Sequence, residues 1–277
     1  IIGKKHVGSG PVYPFDFAYT EETSSVLQVP YFIPGTPAAR ADIAAQYTTV
    51  SRLDQGIGLV LQELRDAGFE NETLVIYSLD NGIPFPMVAL TYITPTILDC
   101  FSLLYPSYSL SGGRPVGLSG RSLLPALISE PSWVTVYASQ SLHEVTMFYP
   151  MCSIHQGPYW LLHNMHYRMP FPIDQDFYMS PAFQDLLNRT QSGQPTGWFK
   201  TLNEYYYRER WELFDIQSDP TERRNLAGDP AYAPVLESLR DQLLKWQWQT
   251  EDPWVCEPDA VLETKLKPQC RLLYNGL

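Results

Sequence analysis

Residues 37–82 constrain the fold most, because there a long helical pattern runs directly into a short apolar one. Ile43, Tyr47, Val50, Leu53, Ile57, Val60 and Leu64 recur at steps of three and four, which predicts one apolar face of a helix over 37–67. Thr36-Pro37 suits its start, with proline in the first turn, and Gly68 suits its end. Gly56 and Gly58 inside it each cost about 1 kcal/mol relative to alanine, which implies close packing against a neighbour. Leu74 to Tyr77 then reads as a short, fully buried strand. A helix feeding such a strand is half of a βαβ unit, so the pattern predicts an α/β fold with a mainly parallel sheet.

That strand ends in Ser78-Leu79-Asp80-Asn81-Gly82. Asn-Gly is a strong turn dipeptide, so a strand-ending turn is one reading. The other is a metal site: an Asp carboxylate and an Asn carbonyl oxygen suit a hard divalent cation, and open α/β sheets bind ligands beyond the carboxyl ends of their strands. A second candidate lies in "IIGKKHVG", residues 1–8. In extended structure Lys4 and His6 point to the same side, where a cation and an imidazole suit a negatively charged group. The competing reading is a solvated basic edge that discourages strand pairing.

Further along, Trp133 to Ala138 reads as a strand, Tyr159 to Tyr167 and Trp211 to Phe214 as strands of an antiparallel sheet, and Leu236, Leu239, Leu243 and Trp246 as the stripe of a final helix. A change in texture near residue 150 suggests two domains, 1–150 and 151–277. His163 and His166 fall on opposite faces of a strand and read as structural, whereas His143-Glu144 follows the 133–138 strand and could border the same cleft as Asp80. The 24 prolines exceed the usual share of about 5%, which predicts much ordered loop.

A net charge of −11 argues against a nucleic-acid binder or a basic membrane-surface protein. No run approaches the roughly 18 apolar residues of a membrane span. The chain starts at Ile1-Ile2-Gly3 without an initiator Met, as expected of a fragment or a processed product. Asn71-Glu72-Thr73 and Asn188-Arg189-Thr190 are N-glycosylation sequons and point to the secretory route. Cys256 and Cys270 share a proline-containing tail and are expected to form a disulfide; Cys100 and Cys152 are expected to be buried free thiols.

Five segments in order give a resemblance to sulfatases. "GKKHVG" is similar to their Gly-Lys-x-His-x-Gly element. "YTTVSRLDQGIGLVLQEL" resembles their Tyr/Asp/Gly-bearing helix, and "SLDNG" their second metal-binding segment. "GRSLLPAL" and "WELFDIQSDPTERRNLAGDP" resemble their later signatures. "YPFDFAYTEE", "MPFPIDQDFY" and "DPWVCEPD" resemble the members that act on heparan sulfate. The resemblance implies an alkaline-phosphatase-like sulfatase fold, incomplete in this chain, with a smaller C-terminal domain containing an antiparallel sheet. It implies a lysosomal hydrolase of the N-sulfate on non-reducing-end glucosamine of heparan sulfate. It further implies Ca2+ on Asp80 and Asn81, sulfate contacts from Lys4 and His6, and a homodimer as a candidate assembly.

The departures bear on activity. The family nucleophile is a cysteine in Cys-x-Pro-Ser-Arg, oxidised to formylglycine, and this chain has no such segment. Cys256-Glu257-Pro258-Asp259-Ala260 begins similarly but lacks the Ser and Arg. The paired aspartates that complete the calcium site and the His-containing segment before the long helix are also absent. Without the nucleophile no covalent sulfate intermediate forms, so the chain is expected to be inactive, as an incomplete gene model or splice form would be. The alternatives are another sulfatase or phosphohydrolase of the superfamily, and a noncatalytic secreted glycoprotein that keeps the fold.

Overall fold

The computed structural model describes residues 29–77, 90–105, 109, 113, 115, 117–129, 135–143, 147–263 and 268–273. These fall into two compact units. One is residues 29–77 with 173–205; the other comprises the described residues of 78–172 and 206–277.

In the first unit, helix α1 (Pro37–Asp66) is capped by Thr36, whose Oγ1 accepts from the Ala39 N–H at 3.2 Å. Only the first third of its apolar stripe is covered: Ala39, Ile43 and Ala44 are buried, while Tyr47, Val50 and Val60 are exposed. The cover is the helix Pro181–Gln191, whose Phe183 and Leu186 are buried. Asp42 accepts from the Ala182 N–H at 2.8 Å and Ser180 from Phe183 at 3.2 Å, so two otherwise orphan N-terminal donors of that helix are satisfied by side chains. Nothing lies within 4 Å of a Cβ built on Gly56 or Gly58, so the close packing expected there is not observed. Leu74 to Tyr77 has no regular secondary structure, belongs to neither sheet, and is exposed rather than buried. A strand exists only through a partner that accepts its backbone bonds, and among the described residues this segment has none.

Among the described residues, the first α-helix of the second unit is α2 (Ile93–Cys100). It shows what "GRSLLPAL" does. Gly120 lies against the Thr91 carbonyl so closely that any Cβ would collide with it, and Thr96 Oγ1 accepts from the Leu123 N–H at 2.9 Å. Glycine is required there by close backbone approach.

Four strands then form an antiparallel sheet in sequence order: β1 (Thr135–Leu142), β2 (Phe148–Gln156), β3 (Tyr159–Asn164) and β4 (Trp211–Asp215). The position near 150, expected as a domain boundary, lies within β2. Between β3 and β4 the chain forms the first unit's helices α3 (Gln175–Met179) and α4 (Pro181–Gln191), then α5 (Leu202–Tyr206). Helix α6 (Ala233–Thr250) follows β4 and covers one sheet face. Cys152, Ile154, Leu161, Met165, Leu213, Leu226, Leu239 and Leu243 make the core, with Leu236 and Trp246 packed against it as the stripe predicts. Both described sheets are antiparallel, so the parallel sheet expected around residues 74–77 is not present among the described residues.

The segment "WELFDIQSDPTERRNLAGDP" closes the edge of this sheet. Asn225 accepts from the Leu213 N–H at 2.9 Å and donates to the Trp211 carbonyl at 3.0 Å, taking the place of a fifth strand. Asp219 accepts from the Arg223 and Arg224 N–H groups at 2.7 and 2.9 Å, which fixes the turn that delivers Asn225. An edge blunted in this way offers no template for another chain.

At the C-terminus β5 (Ala260–Glu263) pairs with β6 (Gln269–Leu272), and Cys256 is bonded to Cys270. The expected disulfide is present. Cys152 is a buried thiol as expected, but Cys100, at the end of α2, is exposed. Cys256→Ser is expected to lower unfolding free energy by about 3 kcal/mol, the entropy of a loop of this length in the unfolded chain. Urea denaturation under nonreducing conditions measures it; an unchanged midpoint would refute the estimate.

Candidate functional site

The richest polar chemistry among the described residues gathers where β3 ends and β4 begins. His163, near the end of β3, is cross-strand partner to Trp211, and their rings stack with centroids 3.8 Å apart. The Arg240 guanidinium from α6 lies over Trp211 at 4.7 Å. Arg210 donates from Nε to His163 Nε2 at 3.4 Å and pairs with Asp259 at 2.6 Å. Tyr167 lies within reach of two guanidiniums, Arg168 at 5.4 Å and Arg210 at 6.0 Å. Beside them is a cleft of about 140 Å³ lined by Met165 to Met169, Pro258 and Asp259. Its apolar floor and charged rim form one small concave surface.

His163 is 6% exposed. Burial, then the charges of Arg210 and Arg240, lower its pKa to about 3, against a small opposing effect from Asp259. The imidazole is therefore neutral at any ordinary pH, which is what a nitrogen accepting from Arg210 must be. This histidine is structural, as expected. His166 lies beyond the end of β3, packs edge-on against Phe148 at 4.9 Å and lines the cleft.

One layer in, Asn164 is fully buried. Its amide donates to the Glu209 carbonyl at 2.7 Å and to Glu212 Oε2 at 3.0 Å, and Arg208 donates to the same oxygen at 2.6 Å. Both partners of the Asn164 NH₂ are acceptors, so its orientation is determined and its Oδ1 is left unpaired. Tyr149 Oη is buried and unpaired as well; burial chiefly raises its pKa, Arg208 lowering and Glu212 raising it further. Cys152 is pushed up to about 12, first by burial and also by the neighbouring Asp252, while its hydrogen bonds with Ser139 and Gln247 act the other way. A thiol so placed is inert as a nucleophile.

Of the residues expected from sequence, Lys4, His6, Asp80, Asn81 and Glu144 lie outside the described residues. His143 directly follows β1; its N–H donates to the Met147 carbonyl at 2.7 Å and its ring is 4.3 Å from that of Phe171. Asn71 and Asn188 are both exposed. No group of three or more His, Cys, Asp or Glu among the described residues is placed to hold a metal ion. Sequence inspection missed the Arg–aromatic cluster, whose one trace is the density of those types in "YYYRERWEL".

Comparison with known proteins gives these residues a context. Residues 174–249 match the family profile described as N-sulphoglucosamine sulphohydrolase, C-terminal. The whole chain is 49% identical to human N-sulphoglucosamine sulphohydrolase over 383 aligned positions, covering 76% of that protein. An ulvan-active sulfatase of Formosa agariphila is 23% identical over 79% of this chain and 40% of its own length. Among solved structures, a phosphonate monoester hydrolase of Agrobacterium radiobacter is 17% identical with a TM-score of 0.49, covering 85% of this chain and 46% of its own. A protein in complex with its substrate D-glucosamine-2-N,6-O-disulfate is 19% identical with a TM-score of 0.48, covering 78% and 42%. The chain spans less than half the length of these last three. The class to which the sequence relatives belong is the sulfatases. The chain belongs to the N-sulphoglucosamine sulphohydrolase family, an enzymatic family of hydrolases. Because 383 positions align to only 277 residues, the human protein has internal stretches with no counterpart in this chain.

The buried His163 sets an acid limit on this unit. In the unfolded chain an imidazole takes up its proton near pH 6.5; in the folded chain it does so only near 3. Between those values the unfolded state binds more protons, so stability is full above about 6.5 and declines as pH falls through the window. His163→Phe is expected to flatten this decline. Urea midpoints of both proteins at neutral pH and at about pH 4.5 test it, and an equal acid loss in the variant would refute the assignment.

Proposed function

We propose that this chain belongs to a heparan sulfate N-sulfoglucosamine sulfohydrolase, and that these 277 residues by themselves, which contain no Cys-x-Pro-Ser-Arg segment, do not turn over its substrate. The observation that carries the proposal is the pairing of whole-length identity to a sulphohydrolase with the lack of any Cys-x-Pro-Ser-Arg segment. In the substrate role, Lys4 and His6 contact the sulfate of a terminal glucosamine N-sulfate, the Lys by charge and the His by hydrogen bond or proton. Asp80 and Asn81 offer hard oxygen donors of the kind calcium takes, which fits in kind but supplies only two of its six to eight ligands. A bound calcium would contribute positive charge toward the sulfate. His143 and Glu144 border the substrate cleft in this proposal.

The route is lysosomal, through the secretory pathway, with a homodimer as the assembly. Both sequons support that route because Asn71 and Asn188 are exposed and open to a glycosyltransferase. The same exposure favours the second reading, a noncatalytic secreted glycoprotein. Secreted from eukaryotic cells, the chain is expected to lose mass in two steps on enzymatic N-deglycosylation; an unshifted mass would exclude both readings of the route.

The 277-residue chain, expressed with calcium present, is expected to release no sulfate from glucosamine N-sulfate above the no-enzyme control; measurable release would overturn the proposed loss of turnover. In a form with the missing segments restored, Asp80→Asn removes one negative charge at nearly constant volume and is expected to weaken calcium binding strongly. Asn81→Ala, which removes a neutral donor that water replaces, is expected to weaken it less. Unaltered calcium affinity in Asp80→Asn would return "SLDNG" to a strand-ending turn.

A further inference from the structure

The cluster at the junction of β3 and β4 has a feature that packing alone does not require. Arg240, Trp211, His163, Arg210, Tyr167 and Arg168 follow one another in a row, so that three guanidiniums are interleaved with three rings, those of Trp211 and His163 stacked together. Three cations share this ladder, and among the described residues the one carboxylate paired within it is Asp259. Arg168 and Arg240, at its two ends, are both exposed. A guanidinium lying over a ring is held in place by the ring's quadrupole while its N–H edges stay free to donate. That leaves two pre-oriented forks whose geometry matches sulfate or carboxylate oxygens, with less side-chain entropy to lose on binding than a free arginine has. Beside Arg168 and Asp259 lies the cleft of about 140 Å³, whose lining includes Pro258 and the exposed Met169.

The net charge of −11 repels polyanions at long range. Any anion held at the ladder is therefore held by local geometry and not by the field of the whole chain. We infer that the ladder from Arg240 to Arg168, with the adjoining cleft, is a docking surface for a sulfated, carboxylate-bearing oligosaccharide, gripped by Arg168 and Arg240 and seated against Tyr167 and Met169. The choice of a sulfated sugar as the anion rests on the function proposed above. His163 and Trp211 are positioning residues: they hold the two strand ends at the spacing that keeps Arg210 and Arg240 in one row.

The experiment uses the full chain and a short heparin-derived oligosaccharide, with affinity measured by titration calorimetry. The comparison is between Arg168→Ala/Arg240→Ala and a charge-matched control, Arg223→Ala/Arg224→Ala, both made at exposed positions where folding is preserved and verified by circular dichroism. The ladder variant is expected to bind at least about tenfold more weakly, the loss of one charge-assisted contact or more, while the control stays within about twofold. Equal losses in both variants, or in neither, would overturn the inference. So would equal competition by a single-stranded DNA of matching charge, which would reduce the surface to a general anion site. The outcome is separable from that of the hydrolase proposal. A chain that releases no sulfate yet binds through the ladder supports the inference, and one that releases no sulfate and binds equally well in the ladder variant refutes the inference alone.

Discussion

Helix α6 lying across one face of a four-stranded antiparallel sheet is the contact on which the second unit depends. Ile154, Leu161 and Leu213, one from each of three adjacent strands, are completely buried beneath it, and Leu239 and Leu243 fill the space between them. Fully burying each such side chain contributes about 1.5–3 kcal/mol, so these few residues outweigh the individual polar contacts of the unit. The sheet's register follows from this. A slip of one residue on β3 would turn Leu161 away from α6 and put Trp160 or Leu162 in its place.

The same core explains why the polar groups collect where they do. At the end of β3 the apolar face runs out at Asn164 and Met165, and the chain must satisfy backbone and side-chain groups that no water reaches. Glu212 accepts from both Asn164 and Arg208, and Arg210 binds His163 and Asp259, so Arg208 and Arg210 on the approach to β4 bind different partners. The bond to Asp259 carries the tertiary order of the sheet into the tail that the Cys256–Cys270 disulfide then closes. The segments that look most like family signatures are, in this unit, structural devices. Gly120 admits the Thr91 backbone, and Asn225 stands in for an edge strand.

Catalysis in a sulfatase needs more than this framework. A nucleophile must be generated, a metal must be held by several oxygens, and a sulfate must be bound. This chain has candidate residues for the last two tasks and no Cys-x-Pro-Ser-Arg segment for the first. The human relative's aligned span contains stretches with no counterpart in this chain. An apolar stripe on α1 that is buried for only its first third has the same physical character: the helix was patterned for more neighbours than it meets among the described residues.

What the sequence determined by itself were the features set by local periodicity and by chemistry between near residues. The α1 and α6 helices, the strands at β1, β3 and β4, and the cysteine pair in the tail were legible because a 3.6-residue or two-residue repeat, or a shared short loop, is written within one segment. Family membership was legible for a related reason, since ordered motifs survive in the text even where their structural role is not apparent. Burial at Leu74–Tyr77 was not determined by its apolar run, because burial is a property of the partner as much as of the segment. Exposure of Cys100 and the open space around Gly56 and Gly58 are errors of the same origin. The Arg–aromatic ladder was decided by tertiary structure alone. Arg168, Arg210, Arg240 and Asp259 are far apart in the chain, and only the pairing of β3 with β4, beneath a helix whose register is set by leucine packing, brings their charges into one row.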